Sequence, residues 1–271
     1  MVPICGVREA SLMEETSPYP VLDPAHPASL EKTGALKDLC ALAVMAKAPR
    51  PGRVKTRLSP PLTLEQTAAL NVRFLRDTTE NLATIPGAAG LISYTPVGDE
   101  GMFAGLLPET FALVAQRGDG FGERLLAAAE DILAIGYGAV CLIDSDSPTV
   151  PAGAFYLAVE ALARAGDRVV IGPSHDGGYY LIGMKRAHVA PFERITWSTA
   201  SVYEETLERC REAGLEVVLL PTWYDVDDAA TLSVLKAELL DGIAPEFAAT
   251  RGYGAPHTRE FLTTLTRGAG R

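Results

Sequence analysis

The sequence predicts an α/β protein in which helices cover both faces of a mostly parallel sheet. Short, uniformly apolar segments alternate with amphipathic segments of helical period along most of the chain. The apolar segments lack the polar alternation of a strand that faces water on one side, so both faces of the sheet are expected to be covered. The 25 Gly and 19 Pro residues supply the turns that such an alternation requires.

The elements follow one another in a regular order. The first strand, at residues 39–46, leads through a turn-rich loop into a long helix, before which Thr63 and Gln66 have capping-box spacing. Further strands are predicted at 90–95, 111–116, 138–144, 168–173, 179–184 and 215–221. Further helices are predicted at about 122–134, 152–164 and 201–213, and a final helix from about 228 closes the fold.

The main domain is predicted to span residues 37–242. Residues 1–36 are rich in Pro, Ser and Glu without apolar periodicity, which is typical of an extension that is disordered or wrapped over the surface. Residues 243–271 are interpreted as a C-terminal tail.

Size and charge limit the functions that this chain can have. Its 271 residues, 48% of them hydrophobic, can bury one sizeable core. The net charge of −10 argues against non-specific nucleic-acid binding, which needs a positive field. The four cysteines lie far apart, which favours neither zinc nor disulfides. With neither a leader pattern nor an apolar stretch of about 20 residues, we expect a cytoplasmic protein without a membrane span. The oligomeric state stays open, a dimer included.

A basic loop follows the first strand, and no acidic residue lies between positions 38 and 65. The loop contains Lys47, Arg50, Arg53, Lys55 and Arg57 within eleven positions. Because ligands of such sheets lie at the carboxyl ends of the strands, these cations are expected to meet phosphate oxygens. The alternative is a solvated basic loop. Val54 stands where a Walker A loop needs glycine, so that motif is excluded.

Asp144 and Asp146 stand two positions apart at the end of the strand at 138–144. Two carboxylates on one turn can share a hard cation, and Mg²⁺ or Mn²⁺ commonly binds through one or two carboxylates together with substrate phosphates. The alternative is that both residues cap the turn before the next helix. The DxD pair is expected at the same edge of the sheet as the basic loop, which favours the interpretation as a metal site over that as a turn cap.

Three further segments are candidates. Asp176 opens a DGG turn that is either an ordinary hairpin or the place where a carboxylate orients or deprotonates an acceptor. Asp225, Asp227 and Asp228 precede the last predicted helix, which needs only one of them as its cap. The glycine-rich turn at 117–125 leads into a helix whose amides could hold an anion or a nucleobase.

These segments together resemble a known family. KAPRPGRVKTRL, QRGDGFGERL, LIDSDSPTVP, GPSHDGGYYLIG, ITWST and DVDDAATL occur in the order found in a bacterial family of glycosyltransferase-A-like proteins of the DUF2064 type. The resemblance covers about residues 39–240 and implies a three-layer, Rossmann-like glycosyltransferase-A fold. That fold is shared with nucleotide-diphospho-sugar transferases and with the guanylyltransferases for molybdopterin and phospholactate. Phe121 departs from the pattern, in which Leu or an acidic residue is expected.

The resemblance implies a role for individual residues. Mg²⁺ or Mn²⁺ is expected on Asp144 and Asp146, with Asp227, or Asp225, completing the site. The residues expected to contact the nucleotide and its phosphates are Lys47, Gly52, Lys55, Thr56, Arg57, Gly120 and Glu123. Those expected at the acceptor are Asp176, Gly177, Gly178, Tyr179 and Trp197. The candidate catalytic residues are Asp144, Asp146, Asp176 and Lys55.

Three functions are compatible with these residues. The favoured one is metal-dependent glycosyl transfer from a nucleotide-diphospho-sugar to a small-molecule acceptor. The alternative is nucleotidyl transfer, in which a nucleoside triphosphate is coupled to a phosphorylated small molecule and pyrophosphate is released. The third is a nucleotide sensor without catalysis. Because a fold does not fix chemistry, the geometry of the site has to discriminate among them.

Overall fold

Eight strands form a single sheet in the computed structural model, which describes residues 17–25 and 36–269. The remaining residues of the predicted extension and the last two residues of the tail lie outside the described residues. The strands are β1 (Val21–Leu22), β2 (Cys40–Lys47), β3 (Ala88–Thr95), β4 (Ala112–Ala115), β5 (Ala139–Ile143), β6 (Arg168–Pro173), β7 (Tyr179–Met184) and β8 (Glu216–Leu219).

Six α-helices accompany the sheet in the described ranges. They are α1 (Leu64–Ala83), α2 (Phe121–Ile135), α3 (Ala152–Ala163), α4 (Val202–Glu212), α5 (Ala229–Lys236) and α6 (Pro256–Ala269). A π-helical turn, Ala237–Asp241, continues α5, and short 3₁₀ turns lie at Thr56–Leu58, Glu100–Phe103 and Ala190–Phe192. The predicted capping box is confirmed, because Thr63 and Gln66 exchange side-chain and backbone hydrogen bonds at the start of α1. None of these helices is long and apolar enough to cross a bilayer.

The sheet has the strand order β1-β4-β3-β2-β5-β7-β6-β8, and all neighbours are parallel except where β7 pairs with β5 and β6. Along β2, Leu42 and Val44 belong to one buried apolar cluster, whereas Ala41 and Ala43 belong to another on the opposite face. Both faces of the central strand are therefore covered, as parallel crossover connections require. The predicted α/β fold with a mostly parallel sheet is confirmed.

The reversed direction of β7 brings two distant turns together. Because β7 runs antiparallel to β5, its first residues lie beside the last residues of β5, and the N–H of Asp144 donates to the carbonyl of Tyr180 at 2.9 Å. The DGG turn precedes β7 and the DxD turn follows β5. Both turns consequently lie at the carboxyl edge of the sheet, together with the basic loop that follows β2.

Part of the N-terminal extension lies against the sheet edge. Val21 and Leu22 pair in parallel with β4. The hydroxyl of Tyr19, a residue that is only 8% exposed, donates to the carbonyl of Leu107 at 2.8 Å and accepts its N–H at 3.1 Å. These contacts fix the short segment at the end of the sheet farthest from β8.

The prediction that a helix from about 228 closes the fold was wrong. That helix exists as α5, with Asp228 as its N-cap, but α6 follows it within the segment interpreted as a tail. Leu262 of α6 is fully buried in the core. Both carboxylate oxygens of Asp77 on α1 accept N–H groups at the start of α6, from His257 at 3.0 Å and Thr258 at 2.7 Å. The start of α6 is therefore capped by a distant residue instead of a local one.

Candidate functional site

The carboxyl edge of the sheet surrounds a cleft with two adjoining cavities of about 370 Å³ and 300 Å³. We call the larger one the acidic cavity, because its lining includes Asp144, Asp146, Asp176, Asp225 and Asp227. We call the smaller one the basic cavity, because its lining includes Lys47, Arg53, Lys55 and Arg57. The residues that line both and mark the boundary are Met45, Arg57, Phe121, Asp146 and Asp227.

The loop after β2 positions the cations of the basic cavity. This loop folds back on α1, where the hydroxyl of Thr67 donates to the carbonyl of Val54 at 3.4 Å. Lys55 then adopts a left-handed backbone conformation with φ +49°, which reverses the chain into the 3₁₀ turn Thr56–Leu58. Leu58 is fully buried and anchors this turn in the core. The backbone of the loop is therefore anchored and the Lys55 side chain is buried, whereas Lys47, Arg53 and Arg57 are exposed at the cavity.

Lys55 lies between the two cavities with its charge already paired. Its side chain is only 4% exposed, and its Nζ atom lies 2.7 Å from Oδ1 of Asp146 and 3.0 Å from Oδ1 of Asp227. The Nζ also donates to the carbonyl of Val226 at 2.7 Å. Burial by itself would lower the pKa of Lys55, but the charges and hydrogen bonds of the two aspartates raise it above its ordinary value. Lys55 thus holds two carboxylates, whereas its expected contact with phosphate stays a prediction.

The two aspartates of the DxD turn differ in their surroundings. Asp144 accepts the N–H groups of Asp146 and Ser147, both at 3.2 Å, and the Ser147 hydroxyl at 2.7 Å. Burial, followed by the charges of Asp146 and Asp225, raises the pKa of Asp144 well above its usual range. The turn-capping interpretation therefore describes Asp144. In the described part of the chain no hydrogen-bond donor contacts Oδ2 of Asp146, which leaves that oxygen open beside the cavity.

Asp225 is the second carboxylate with an open oxygen. Its Oδ1 accepts the hydroxyl of Ser174 at 2.8 Å, and its Oδ2 has no donor among the residues described. Burial, followed by the charge of nearby Asp176, raises the pKa of Asp225. Asp176 itself is exposed and uses Oδ1 to accept the N–H of Gly178 at 2.9 Å. The acidic cavity thus contains Asp225, whose pKa is raised, and the exposed carboxylate of Asp176.

The fit of a divalent metal depends on how many ligands the protein must supply. No three Asp, Glu, His or Cys side chains within residues 17–25 and 36–269 already surround one metal position. The predicted ligands Asp144, Asp146 and Asp227 all line the acidic cavity without forming such a set. Mg²⁺ commonly needs only one or two carboxylates, with phosphates and water completing its shell. The open oxygen of Asp146, next to the basic cavity, fits a metal that binds together with a phosphate.

The DGG turn supports one wall of the acidic cavity. Gly177 has φ +94°, and a Cβ atom there would lie 2.1 Å from the carbonyl oxygen of Ala200. The Gly177 carbonyl accepts the N–H of Tyr203 at 2.8 Å. Glycine is required at this position because the backbone of residues 198–200, which line the cavity, approaches so closely. The turn is a hairpin that also lines the cavity, whereas the role of Asp176 in orienting or deprotonating an acceptor stays a prediction.

An aromatic pair also lines the acidic cavity. The rings of Phe121 and Trp197 pack edge to face with centroids 5.1 Å apart. Trp197 lies directly over Gly122, where a Cβ atom would be 2.7 Å from the indole nitrogen. Phe121, the departure from the family pattern, is 48% exposed and faces both cavities. Its ring is therefore available to pack against a ligand.

Four predicted binding residues in the described ranges line neither cavity: Gly52, Gly120, Glu123 and Gly177. Glu123 instead accepts the N–H groups of Asp119 and Gly120 at 3.0 and 3.1 Å, which caps the start of α2. Arg50, also from the basic loop, pairs with Asp99. The other predicted residues, Lys47, Lys55, Thr56, Arg57, Asp144, Asp146, Asp176, Gly178, Tyr179, Trp197 and Asp227, are brought together around the cleft.

Comparisons with known proteins place this chain in a family. A family model described as an uncharacterized protein conserved in bacteria (DUF2064) matches residues 78–199. The crystal structure of a proposed nucleotide-diphospho-sugar transferase from Desulfovibrio desulfuricans G20 is 33% identical, covering 84% of this chain and 97% of that chain with a TM-score of 0.70. This chain belongs to the DUF2064 family. The expected membership and the glycosyltransferase-A-like fold are both confirmed.

More distant structures are also similar to this DUF2064 protein. CMP:2-keto-3-deoxy-manno-octonic acid synthetase complexed with CTP is 12% identical, over 76% of this chain and 100% of that chain, with a TM-score of 0.48. The 4-diphosphocytidyl-2C-methyl-D-erythritol synthase from Anaerococcus prevotii DSM 20548 is 12% identical, over 76% and 98%, with a TM-score of 0.49. No curated protein sequence matches the chain.

Several residues around the cleft of this DUF2064 protein were not singled out from the sequence as ligand contacts. Ser174 lies within GPSHDGGYYLIG and residues 198–199 lie within ITWST, but the sequence assigned them no role, and the fold brings them to the acidic cavity. Asn71 did carry a signal, because it stands three positions after Ala68 and four before Leu75 on the apolar stripe of α1. A polar residue on such a stripe is expected either to be paired in the core or to reach a site.

Proposed function

We propose that this DUF2064 protein is a metal-dependent transferase that moves a glycosyl group from a nucleotide-diphospho-sugar to a small-molecule acceptor. The observation that carries this proposal is the contact between a basic and an acidic cavity at Asp146 and Asp227. A nucleotide-diphospho-sugar has the same two parts, an anionic diphosphate and a hydroxylated sugar whose O–H groups can donate to carboxylates. The description of the relative from Desulfovibrio desulfuricans G20 supports the same substrate class.

The basic cavity would bind the diphosphate. Lys47, Arg53 and Arg57 present cations to it, and Thr56 adds a hydroxyl. Arg57 is 75% exposed, and among the described residues its one ion pair is a 3.5 Å contact with Asp227, so its guanidinium can turn toward a phosphate at little cost. Cations that contact the diphosphate stabilise the negative charge that grows on it as its bond to the sugar breaks.

Asp146 and Asp227 would hold Mg²⁺ or Mn²⁺ at the boundary of the cavities. When bound there, the metal supplies additional neutralisation of the leaving diphosphate. Lys55 keeps both carboxylates in position from the protein side through its contacts of 2.7 and 3.0 Å. Asp144 stabilises the turn that carries Asp146 and would contribute indirectly.

The acceptor would lie in the acidic cavity, where one carboxylate must take a proton from its hydroxyl. Asp176 is the base expected from the sequence, but it is exposed and one of its oxygens accepts a backbone N–H. Asp225 fits the role better, since its raised pKa makes it the stronger base and its Oδ2 is open. Asp176 would then bind and orient an acceptor hydroxyl.

Nucleotidyl transfer is the second candidate, and the three exposed cations of the basic cavity favour it. A triphosphate carries more negative charge than a diphosphate and would use Lys47, Arg53 and Arg57 together. The five aspartates of the acidic cavity weigh against it, because its acceptor would be phosphorylated. A nucleotide sensor is a third candidate, which predicts binding without turnover.

The experiment that tests the proposal measures which product leaves. The protein is incubated with nucleotide sugars or nucleoside triphosphates, Mg²⁺ or Mn²⁺, and a panel of hydroxylated acceptors, and nucleoside diphosphate and pyrophosphate are quantified. Glycosyl transfer predicts nucleoside diphosphate release, lost in Asp146→Asn and retained in Glu160→Gln, which removes only a surface ion pair with Arg164. Release of pyrophosphate selects nucleotidyl transfer, and binding without either product selects the sensor.

A further inference from the structure

Asn71 is a buried polar residue in the lining of the basic cavity. It is 4% exposed and lies in α1, beneath the basic loop. Its Oδ1 atom is buried and has no hydrogen-bond partner in the described part of the chain, yet the residue lines the basic cavity. A buried amide oxygen without a donor is costly, so such groups are generally paired with protein, water or a ligand.

The neighbours of Asn71 on the same face of α1 both make contacts that support the basic loop. Thr67, one turn earlier, bonds the carbonyl of Val54 in the basic loop. Phe74, one turn later, packs 5.6 Å beneath the Nζ of Lys55. Asn71 stands between these two supports and makes neither kind of contact. Another asparagine of the same helix, Asn81, donates to the carbonyl of Val150 at 2.9 Å and is a satisfied core residue.

We propose that Asn71 is a ligand-binding residue of the basic cavity, and that the ligand presents a hydroxyl group to it beside a phosphate. The phosphate follows from the cations Lys47, Arg53 and Arg57 that share the cavity with Asn71. The hydroxyl follows from the amide oxygen, because an ionised phosphate offers only acceptors and cannot satisfy it. The ligand class is thus a sugar phosphate or a nucleoside phosphate, and bare pyrophosphate lacks the required donor. This inference deepens the proposed function, since nucleotide sugars contain such a unit.

The test compares two asparagines of one helix. Binding of pyrophosphate, glucose 1-phosphate, and the uridine, guanosine, cytidine and adenosine diphosphates is measured by calorimetry on the wild type, Asn71→Leu and Asn81→Leu. Asn71→Leu should weaken a hydroxylated phosphate by about three- to tenfold, the worth of one hydrogen bond, and leave pyrophosphate unchanged. Its thermal midpoint should be equal or higher, because no partner is orphaned. Asn81→Leu should show the reverse pattern, with a lower midpoint and unchanged affinities.

Other outcomes overturn the inference. Equal weakening of pyrophosphate and the hydroxylated compounds would mean that Asn71 only shapes the cavity. Unchanged affinity for all compounds, or a wild type that binds no hydroxylated phosphate better than pyrophosphate, would mean that water satisfies the amide. If Asn71→Leu does not fold, Asn71→Ala is measured in the same way. Binding of glucose 1-phosphate that depends on Asn71, without binding of any nucleotide, would retain Asn71 as a ligand contact and reject the nucleotide part of the proposed function.

Discussion

The Nζ atom of Lys55 lies 2.7 Å from the Oδ1 atom of Asp146, and this contact joins the basic loop to the DxD turn. The lysine is 4% exposed and the aspartate 33%, so the pair has a buried cation and a partly solvated anion. A buried lysine cannot lose its partner without a large penalty, whereas the carboxylate keeps one face toward the cavity. The contact therefore fixes the position of Asp146 and leaves it accessible.

Replacing Lys55 by Met should destabilise the protein because Asp146 and Asp227 would repel each other. We expect the free energy of unfolding to fall by about 2 kcal/mol at neutral pH, less than for a fully buried pair because both carboxylates are about one-third exposed. Since the pKa of Lys55 is raised above 10.5, its stabilising effect is complete below pH 10.5 and is lost only as the pH rises through the folded-state value. Urea unfolding at neutral pH measures the change.

The control for this prediction is Lys185→Met, which removes a lysine whose Nζ atom donates to the carbonyl of Arg164. Added Mg²⁺ should raise the unfolding midpoint of Lys55→Met more than that of the wild type, because a cation can then replace the ammonium. Equal stability of the two lysine variants would contradict the structural role assigned to Lys55.

Gly177→Ala should be far more harmful than Gly98→Ala, although the two glycines have nearly the same φ angle, +94° and +93°. A Cβ atom at Gly98 meets nothing within 4 Å, so only backbone strain of about 1–2 kcal/mol is expected. At Gly177 the Cβ would lie 2.1 Å from the Ala200 carbonyl, which adds a steric clash and should bring the loss above about 3 kcal/mol. Equal urea midpoints for the two variants would show that residues 198–200 can move away from the added Cβ atom without a loss of stability.

Ser174→Ala should shift the acid limb of the activity profile to higher pH. The Ser174 hydroxyl bonds Asp225 at 2.8 Å and lowers its pKa, opposing burial and the charge of Asp176. Without it the pKa of Asp225 rises further, so the proposed base is protonated, and activity lost, at a higher pH. The pH profile of kcat/KM checks this. Ser233→Ala, which changes an exposed residue of α5, is the control and should leave the pH profile unchanged.

Asp225→Asn gives an independent check through stability. Because the folded-state pKa of Asp225 is raised, the native state favours its protonated form and loses stability as the pH rises from 3.8 through that pKa. The neutral Asn keeps an acceptor for Ser174 and should raise the urea midpoint at neutral pH while abolishing turnover. A variant that is both less stable and fully active would remove Asp225 from the mechanism.

Asp77→Ala should loosen α6. The start of this helix would lose the acceptor for the N–H groups of His257 and Thr258, at a cost of about 1–3 kcal/mol. Hydrogen exchange at residues 257–265 should accelerate by about tenfold or more, while amides of β2 remain protected. Glu80→Gln, which removes only the partly exposed contact with His257, should have a much smaller effect. Equal exchange in both variants would show that Asp77 does not hold the helix.

The sequence predicted the fold where local patterns decide it. The apolar strands and the capping box of Thr63 and Gln66 are local signals, and they placed the elements that the structure contains. The helix α6 was missed although Pro256, at its first position, is a local start signal. The residue that caps its first N–H groups, Asp77, belongs to another helix far away in the chain. The edge strand β1 has two residues, too few for any period to be visible.

The sequence predicted which loops form the candidate site. It did not predict which charged side chains pair within the site. The basic loop and the DxD turn were identified because both follow predicted strands, and the carboxyl ends of parallel strands lie at the same edge of the sheet. The sequence assigned Lys55 to phosphate, whereas the fold places it against Asp146 and Asp227. Likewise Glu123 looked like a ligand contact and is a helix cap. Which partner a charged side chain meets depends on three-dimensional packing, and spacing along the chain does not encode it.

The short strand β1 has a consequence for how the protein behaves in concentrated solution. An uncovered β4 would offer its backbone groups to any strand of another molecule, which is a common route to aggregation. Val21 and Leu22 occupy that edge, and Tyr19 fastens the segment through its two bonds to Leu107. Two residues are too short to template a further strand, so a very short segment is enough to close this edge of the sheet.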